Sequence, residues 1–353
     1  MSARQSLLAE AAKRILITDG AFGTEIQNWK LAEADYMGNL GLSKDQKGNN
    51  DILALSKPEV PETIHRAYFE AGADIAETNT FSANVISQAD YGAEGLVKDI
   101  NIESARLARR IADEYQAKDA EKGIWRPRFV AGAIGPTNKT LSLSPDVNDP
   151  GFREIDFDYL KDVYREQTDA LLDGGADFIL IETVFDTLNA KAGIMAAIEA
   201  GEARGVDVPI MLSMTLTDLS GRNLSGHTVE AFWHAVRHAK PVTIGLNCSF
   251  GAEQLRPHVK TLSGICDTLI MVYPNAGLPN ELGAYDELPE TTAGLVKEWA
   301  DAGQVNILGG CCGSTPAHIA AIAKSVAGLK PRIPPTPPIV TRLAGLEPMT
   351  MAA

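Results

Sequence analysis

Two of the four cysteines in this 353-residue chain are adjacent, Cys311 and Cys312 in the stretch NILGGCCGSTPAHI. Neighbours on a regular strand point to opposite faces, so a side-by-side pair set among Gly309, Gly310 and Gly313 needs a reason. Three readings compete: small core side chains, a redox pair, or two ligands to one metal ion. A third cysteine, Cys248 in GLNCSFG, ends another apolar run. Three thiolates with one open position describe a reactive zinc site, since a structural site usually has four protein ligands. The flanking glycines let the chain leave strand geometry, so that both sulfurs of the pair turn toward one ion. Free cysteine is also often a small buried hydrophobe, and that reading is assigned to Cys266. A vicinal disulfide would be strained, and a reducing compartment disfavours it. Spacing alone leaves packing and ligation evenly balanced for Cys248, Cys311 and Cys312.

Other polar groups stand at the ends of apolar runs: Asp19, Glu77 with Asn79, Glu182, Ser213, Asn247 and Asn275. Glu230, His234 and His238 are spaced four apart and would share one helical face. No HExxH pattern accompanies them, and they read as a solvated helix face. His65, His227, His258 and His318 show no ligand spacing with one another.

The elements that must position these groups follow from hydrophobic pattern. Eight short apolar runs recur: 14–20, 73–81, 128–136, 176–185, 208–216, 241–249, 267–277 and 305–313. They are mostly unbroken rather than alternating, as strands buried on both faces should be. The segments KPEVPETIHRAYFEAG and FDYLKDVYREQTDALLDGG carry apolar residues at three- and four-residue spacing and end in glycine, a helix stop. One junction repeats: FEAGADIAET and LDGGADFILIET share a helix end, a glycine, then Ala-Asp opening a strand, with a weaker echo in WADAGQVNILGG. Eight βα units predict an α/β protein with a (β/α)₈ TIM barrel over residues 1–328. An open doubly wound sheet is the alternative. In a barrel the C-terminal strand ends face one pocket, so residues remote in sequence would converge. Residues 329–353, with five prolines between Pro331 and Pro338, predict an extended tail or linker.

Composition narrows the function. At 45% hydrophobic residues the chain can build a large core, and the formal charge of -14 argues against nucleic acid or an anionic membrane as partner. Four cysteines do not make a disulfide scaffold, the N-terminus lacks a signal-peptide pattern, and no uncharged run reaches membrane-spanning length. These features read as a cytoplasmic protein.

The motifs GGCCGSTPAHI, GLNCSFGAEQL, DGAFGTEIQ, KGNNDILALSKPEV, EAGADIAETNTF, GPTNKTLSLSPDVNDP, IETVFDTLNAKA and PNAGLPN resemble the homocysteine-binding module of the cobalamin-dependent methionine synthases. The likeness runs from about residue 13 to the end. Paired Gly-Cys-Cys-Gly with an upstream Asn-Cys is specific to the homocysteine methyltransferases, and the other stretches favour the cobalamin-dependent branch over the betaine-dependent one. The resemblance implies a (β/α)₈ barrel that binds Zn²⁺ through Cys248, Cys311 and Cys312 and takes homocysteine as a thiolate in the open position. The methyl group would come from methylcobalamin, with 5-methyltetrahydrofolate as ultimate donor, and the product would be methionine.

On that reading the substrate ammonium seeks carboxylates, for which Asp19 and Glu182 are candidates. Its carboxylate seeks backbone N–H groups at Gly20, Ala21, Phe22, Gly23 and Thr24. Asn275 would hold the fourth zinc position before substrate arrives, or serve only as a turn residue. The chain contains no Asp-x-His-x-x-Gly, the cobalamin-ligating signature. A separate cobalamin- and folate-binding subunit is therefore the expected partner, docking at the rim loop GPTNKTLSLSPDVNDP, with an excised fragment of a longer enzyme as the other explanation. Two further readings are a methyltransferase using S-methylmethionine or betaine, and a non-catalytic zinc-binding docking protein.

Overall fold

A computed structural model describes residues 1–351; the last two residues of the tail lie outside the described residues. All eight apolar runs are strands: β1 Leu16–Ile17, β2 Ile75–Glu77, β3 Phe129–Ile134, β4 Phe178–Val184, β5 Ile210–Met214, β6 Thr243–Gly251, β7 Leu269–Asn275 and β8 Ile307–Leu308. Each pairs in parallel with the next, β1 pairs with β8, and a bridge between Thr18 and Ile75 joins β1 to β2. The sheet thus curls into the (β/α)₈ barrel, and the open-sheet alternative falls.

The strands alternate between two apolar environments rather than one. Leu16, Ile75, Phe129, Phe178, Leu180, Met211, Met271 and Ile307 fill the inside, whereas Ile17, Val130, Ile179, Leu212, Ile244 and Val272 pack against the helices. That is why the runs look unbroken: both faces of each strand are dry. Leu7 and Ala11 of the N-terminal helix Ala3–Ala11 join the inner cluster and close its lower end, a plug that the sequence pattern did not reveal.

The repeated Gly-Ala-Asp junction has a structural purpose. Asp74 accepts the N–H of Ile17 at 2.9 Å and Asp177 that of Val130 at 2.8 Å, each pinning the strand beside it. In the weaker echo, Asn306 Oδ1 accepts the N–H of Ile270 at 3.0 Å. Asp74 is fully buried but holds Arg14 at 2.8 Å and Arg126 at 2.7 Å, so its charge is compensated and its pKa stays below the usual carboxylate range.

The Pro-rich tail lies on its own barrel. The buried Arg332 guanidinium donates to the carbonyls of Ser263, Cys266 and Thr268 beneath β7, and Asn306 Nδ2 holds the Arg332 carbonyl at 2.7 Å. The chain then forms a hairpin, β9 Arg342–Ala344 and β10 Pro348–Thr350, with β9 lying against the helix Val229–Val236. This covers only one residue of the expected solvated face, since His238 stays exposed. The His234 side chain is 4% exposed, and among the described residues neither of its ring nitrogens has a hydrogen-bond partner.

Candidate active site

Every polar strand end faces the same, upper mouth of the barrel. Gly20, Glu77, Glu182, Cys248, Cys311 and Cys312 line one cavity of about 350 Å³. The three sulfurs lie within 4.8 Å of one another, a group able to hold a metal ion. Cys248 Sγ is 3.7 Å from Cys312 Sγ. Tetrahedral zinc with Zn–S near 2.3 Å sets sulfurs about 3.8 Å apart, so the spacing suits one ion. Cys266, by contrast, is fully buried in the outer core, where burial pushes its thiol well up.

The paired cysteines are placed by backbone rather than by glycine freedom alone. Cys311 N–H donates to the Pro274 carbonyl at 2.8 Å, and the Cys312 carbonyl accepts Ala276 N–H at 2.9 Å. Gly310 is required by space, because a Cβ there would meet the Ser314 hydroxyl at 2.4 Å. Only Gly313, at φ +80, uses the left-handed region. Ser314 ties this loop to the Asp19–Thr24 turn: its Oγ donates to the Cys311 carbonyl at 2.6 Å and accepts Ala21 N–H at 3.2 Å. Three thiols so close share protons. Hydrogen bonds from Cys248 and Cys311 draw Cys312 down to about 3, while Cys311 is pushed well above the usual thiol range by its bonds to Cys248 and Cys312.

Beside the sulfurs lie buried acids. Glu182 Oε2 accepts the Tyr273 hydroxyl at 3.0 Å, and desolvation raises its pKa to about 7, helped by the negative charge of Cys312. Glu77 is raised well above its ordinary value, chiefly by burial and then by Glu182 and Asp19. Asp19 is also raised by burial, but it sits behind the cavity, where Oδ2 accepts Glu77 N–H at 2.9 Å. Of the two predicted carboxylates, Glu182 lines the cavity and Asp19 supports Glu77 beneath it. Glu77 and Glu182, with three thiols, around one small cavity select for a cationic occupant.

Gly20, Ala21, Phe22, Gly23 and Thr24 all line the cavity. The helix Phe22–Asn28 begins there, and first-turn N–H groups lack intrahelical partners. Asn275 is 2% exposed, ends β7, and its Oδ1 has no hydrogen-bond partner among the described residues. An orphaned amide oxygen of this kind fits a ligand or metal position.

The sequence pattern marks Glu77 as a strand end outside the expected site and gives no signal for Tyr273 or for Asp51, whose stretch KGNND reads only as a family motif. Asp51 is buried in the cavity wall, accepts Ser82 N–H at 2.9 Å, and desolvation raises its pKa to about 6. Between the unfolded value near 3.9 and about 6 the folded state binds more protons than the unfolded one, so this group's contribution falls as pH rises. Asp51→Asn should therefore gain up to about 3 kcal/mol at neutral pH and flatten the decline in stability between pH 4 and 6. Denaturant titrations across that range test it; an unchanged slope would refute the assignment.

Residues 16–326 match the protein family described as homocysteine S-methyltransferase. Among solved structures the chain is similar to the homocysteine methyltransferase MmuM from Escherichia coli. Its metallated form aligns with a TM-score of 0.70 at 25% identity, over 92% of this chain and 99% of that one. The oxidised form gives 0.70 at 24% identity over the same shares, and the apo form 0.64 at 24% over 92% and 100%. At 24% identity those two likenesses speak for the fold.

Proposed function

The chain belongs to the homocysteine S-methyltransferase family, and from that premise we propose that it is a zinc enzyme methylating homocysteine to methionine with a methyl group from methylcobalamin, presented by a separate cobalamin- and folate-binding chain. The observation that carries the reading is the convergence of three sulfurs, from the ends of β6 and β8, beside buried acids. Cys248, Cys311 and Cys312 would hold the metal, with Asn275 in the fourth position until substrate arrives. Zinc there would keep a bound thiol deprotonated at neutral pH, where a free thiol of pKa about 8.5 is mostly protonated.

The chain's own groups do the rest. Glu182 and Glu77, backed by Asp19, receive the substrate ammonium, whose positive charge favours the carboxylate form of Glu182. Tyr273 fixes the Glu182 carboxylate through its hydroxyl. Within the turn from Gly20 to Thr24, the N–H groups other than that of Ala21, which Ser314 holds, are offered to the substrate carboxylate. Glu182→Gln should weaken homocysteine binding by about tenfold or more, since a hydrogen bond to a buried charge contributes about 1.5–3 kcal/mol. Calorimetry reads this directly, and an unchanged dissociation constant would remove Glu182 from the ammonium site.

A second reading is turnover with a free donor such as S-methylmethionine or betaine, the barrel acting without a partner chain. Homocysteine supplied with each donor separately, with and without a cobalamin-bearing partner, separates the two. No methionine under any condition, with zinc bound, would favour a docking protein instead. Among the described residues no helix is long and apolar enough to cross a membrane.

A further inference from the structure

Among the described residues, three of the five non-glycine residues with positive φ belong to two strand ends at this site: Thr183 at +54, Cys248 at +61 and Ser249 at +59. A β-branched residue in that region is an outlier, and such strain persists only where the surroundings over-determine it. Both strands lose regular register there, β4 between Ile181 and Val184, β6 between Asn247 and Gly251. In an unbroken strand Cys248 would follow the inward Asn247 and point out toward the helices. The two left-handed residues, Cys248 and Ser249, break that alternation, and the Cys248 sulfur reaches Cys312.

One buried amide links the two distortions. Asn247 Oδ1 accepts the Ser213 hydroxyl at 2.6 Å and the Thr183 N–H at 3.1 Å, while its Nδ2 donates to Thr183 Oγ1 at 2.8 Å. Asn247 is 1% exposed and precedes Cys248, and Thr183 follows Glu182. Ser249 is tied separately to Thr215 at 2.9 Å. We infer that Asn247 is a positioning residue that sets the Cys248 sulfur and the Glu182 carboxylate together, coupling the metal site to the ammonium site through a single side chain. The inference rests on the zinc and homocysteine reading above.

Asn247→Ala, with Ser213→Ala as a milder variant that removes one bond to the same oxygen, tests it. Zinc release to a chromophoric chelator should become about 10- to 100-fold easier in Asn247→Ala, the loss typical when a group orienting a metal ligand is removed. Homocysteine binding should weaken alongside it, and cobalt substituted for zinc should show a shifted thiolate absorption that a purely structural role would not produce. Glycine adopts positive φ without strain, so in a Thr183→Gly background the Asn247→Ala change should cost less than it does alone. Wild-type zinc and homocysteine affinities retained in both the Asn247→Ala and Ser213→Ala variants, or strictly additive losses in the Thr183→Gly cycle, would overturn the clamp. A wild-type protein that takes up neither zinc nor homocysteine would instead overturn the parent reading, and this one with it.

Discussion

Cys248→Ala, Cys311→Ala and Cys312→Ala should each abolish methyl transfer and release zinc. The expected loss of metal affinity exceeds the roughly 10- to 100-fold typical of removing an outer partner, because a ligand itself disappears. The loop should survive the change. The contacts that place the pair run through the Cys311 N–H and the Cys312 carbonyl, which alanine retains, so lost function would report the sulfur and not a collapsed backbone. Cys266→Ala is the internal control. Its side chain sits in the outer core away from the cavity, and it should cost modest stability while leaving zinc and turnover intact. Metal analysis after dialysis, with a methyl-transfer assay on the same samples, reads both. Full zinc occupancy in the Cys311→Ala/Cys312→Ala double variant would rule out the site.

The second large effect concerns the methyl donor. Given homocysteine and 5-methyltetrahydrofolate alone, the protein should form no methionine, since its 353 residues carry no Asp-x-His-x-x-Gly to hold a corrinoid. Free methylcobalamin should support slow turnover, because an activated thiolate needs only an accessible methyl group. A partner that holds the corrinoid over the barrel mouth should raise the rate by orders of magnitude, by turning a bimolecular search into an oriented encounter. The loop following β3, in which Val147 is 92% exposed, is the proposed place of contact. Labelled methyltetrahydrofolate given to the purified protein without corrinoid decides the matter. Substantial labelled methionine would leave a cobalamin-independent enzyme in place of the proposed one.

The eight strands were legible because burial on both faces leaves a local record, a short apolar run ended by polar residues. The upward convergence of Cys248, Cys311, Cys312 and Glu182 was legible for the same reason: barrel topology sends every strand's C-terminal end to one mouth. What the sequence could not determine is side-chain direction at those ends. Strand alternation has a period of two, so one bulge or one left-handed residue reverses it, and whether such a residue is tolerated depends on distant partners. Cys248 turns inward only because β6 breaks register there. Asp19 lies behind the cavity wall because it is held by the Glu77 N–H of the neighbouring strand. The burial of His234 and the seating of Arg332 were equally invisible, since both depend on where a Pro-rich tail comes to rest. The sequence by itself therefore determined the barrel and the chemical types gathered at its mouth. The tertiary structure alone decided which of those groups reach the cavity, because that choice lies in long-range hydrogen bonds that no local pattern encodes.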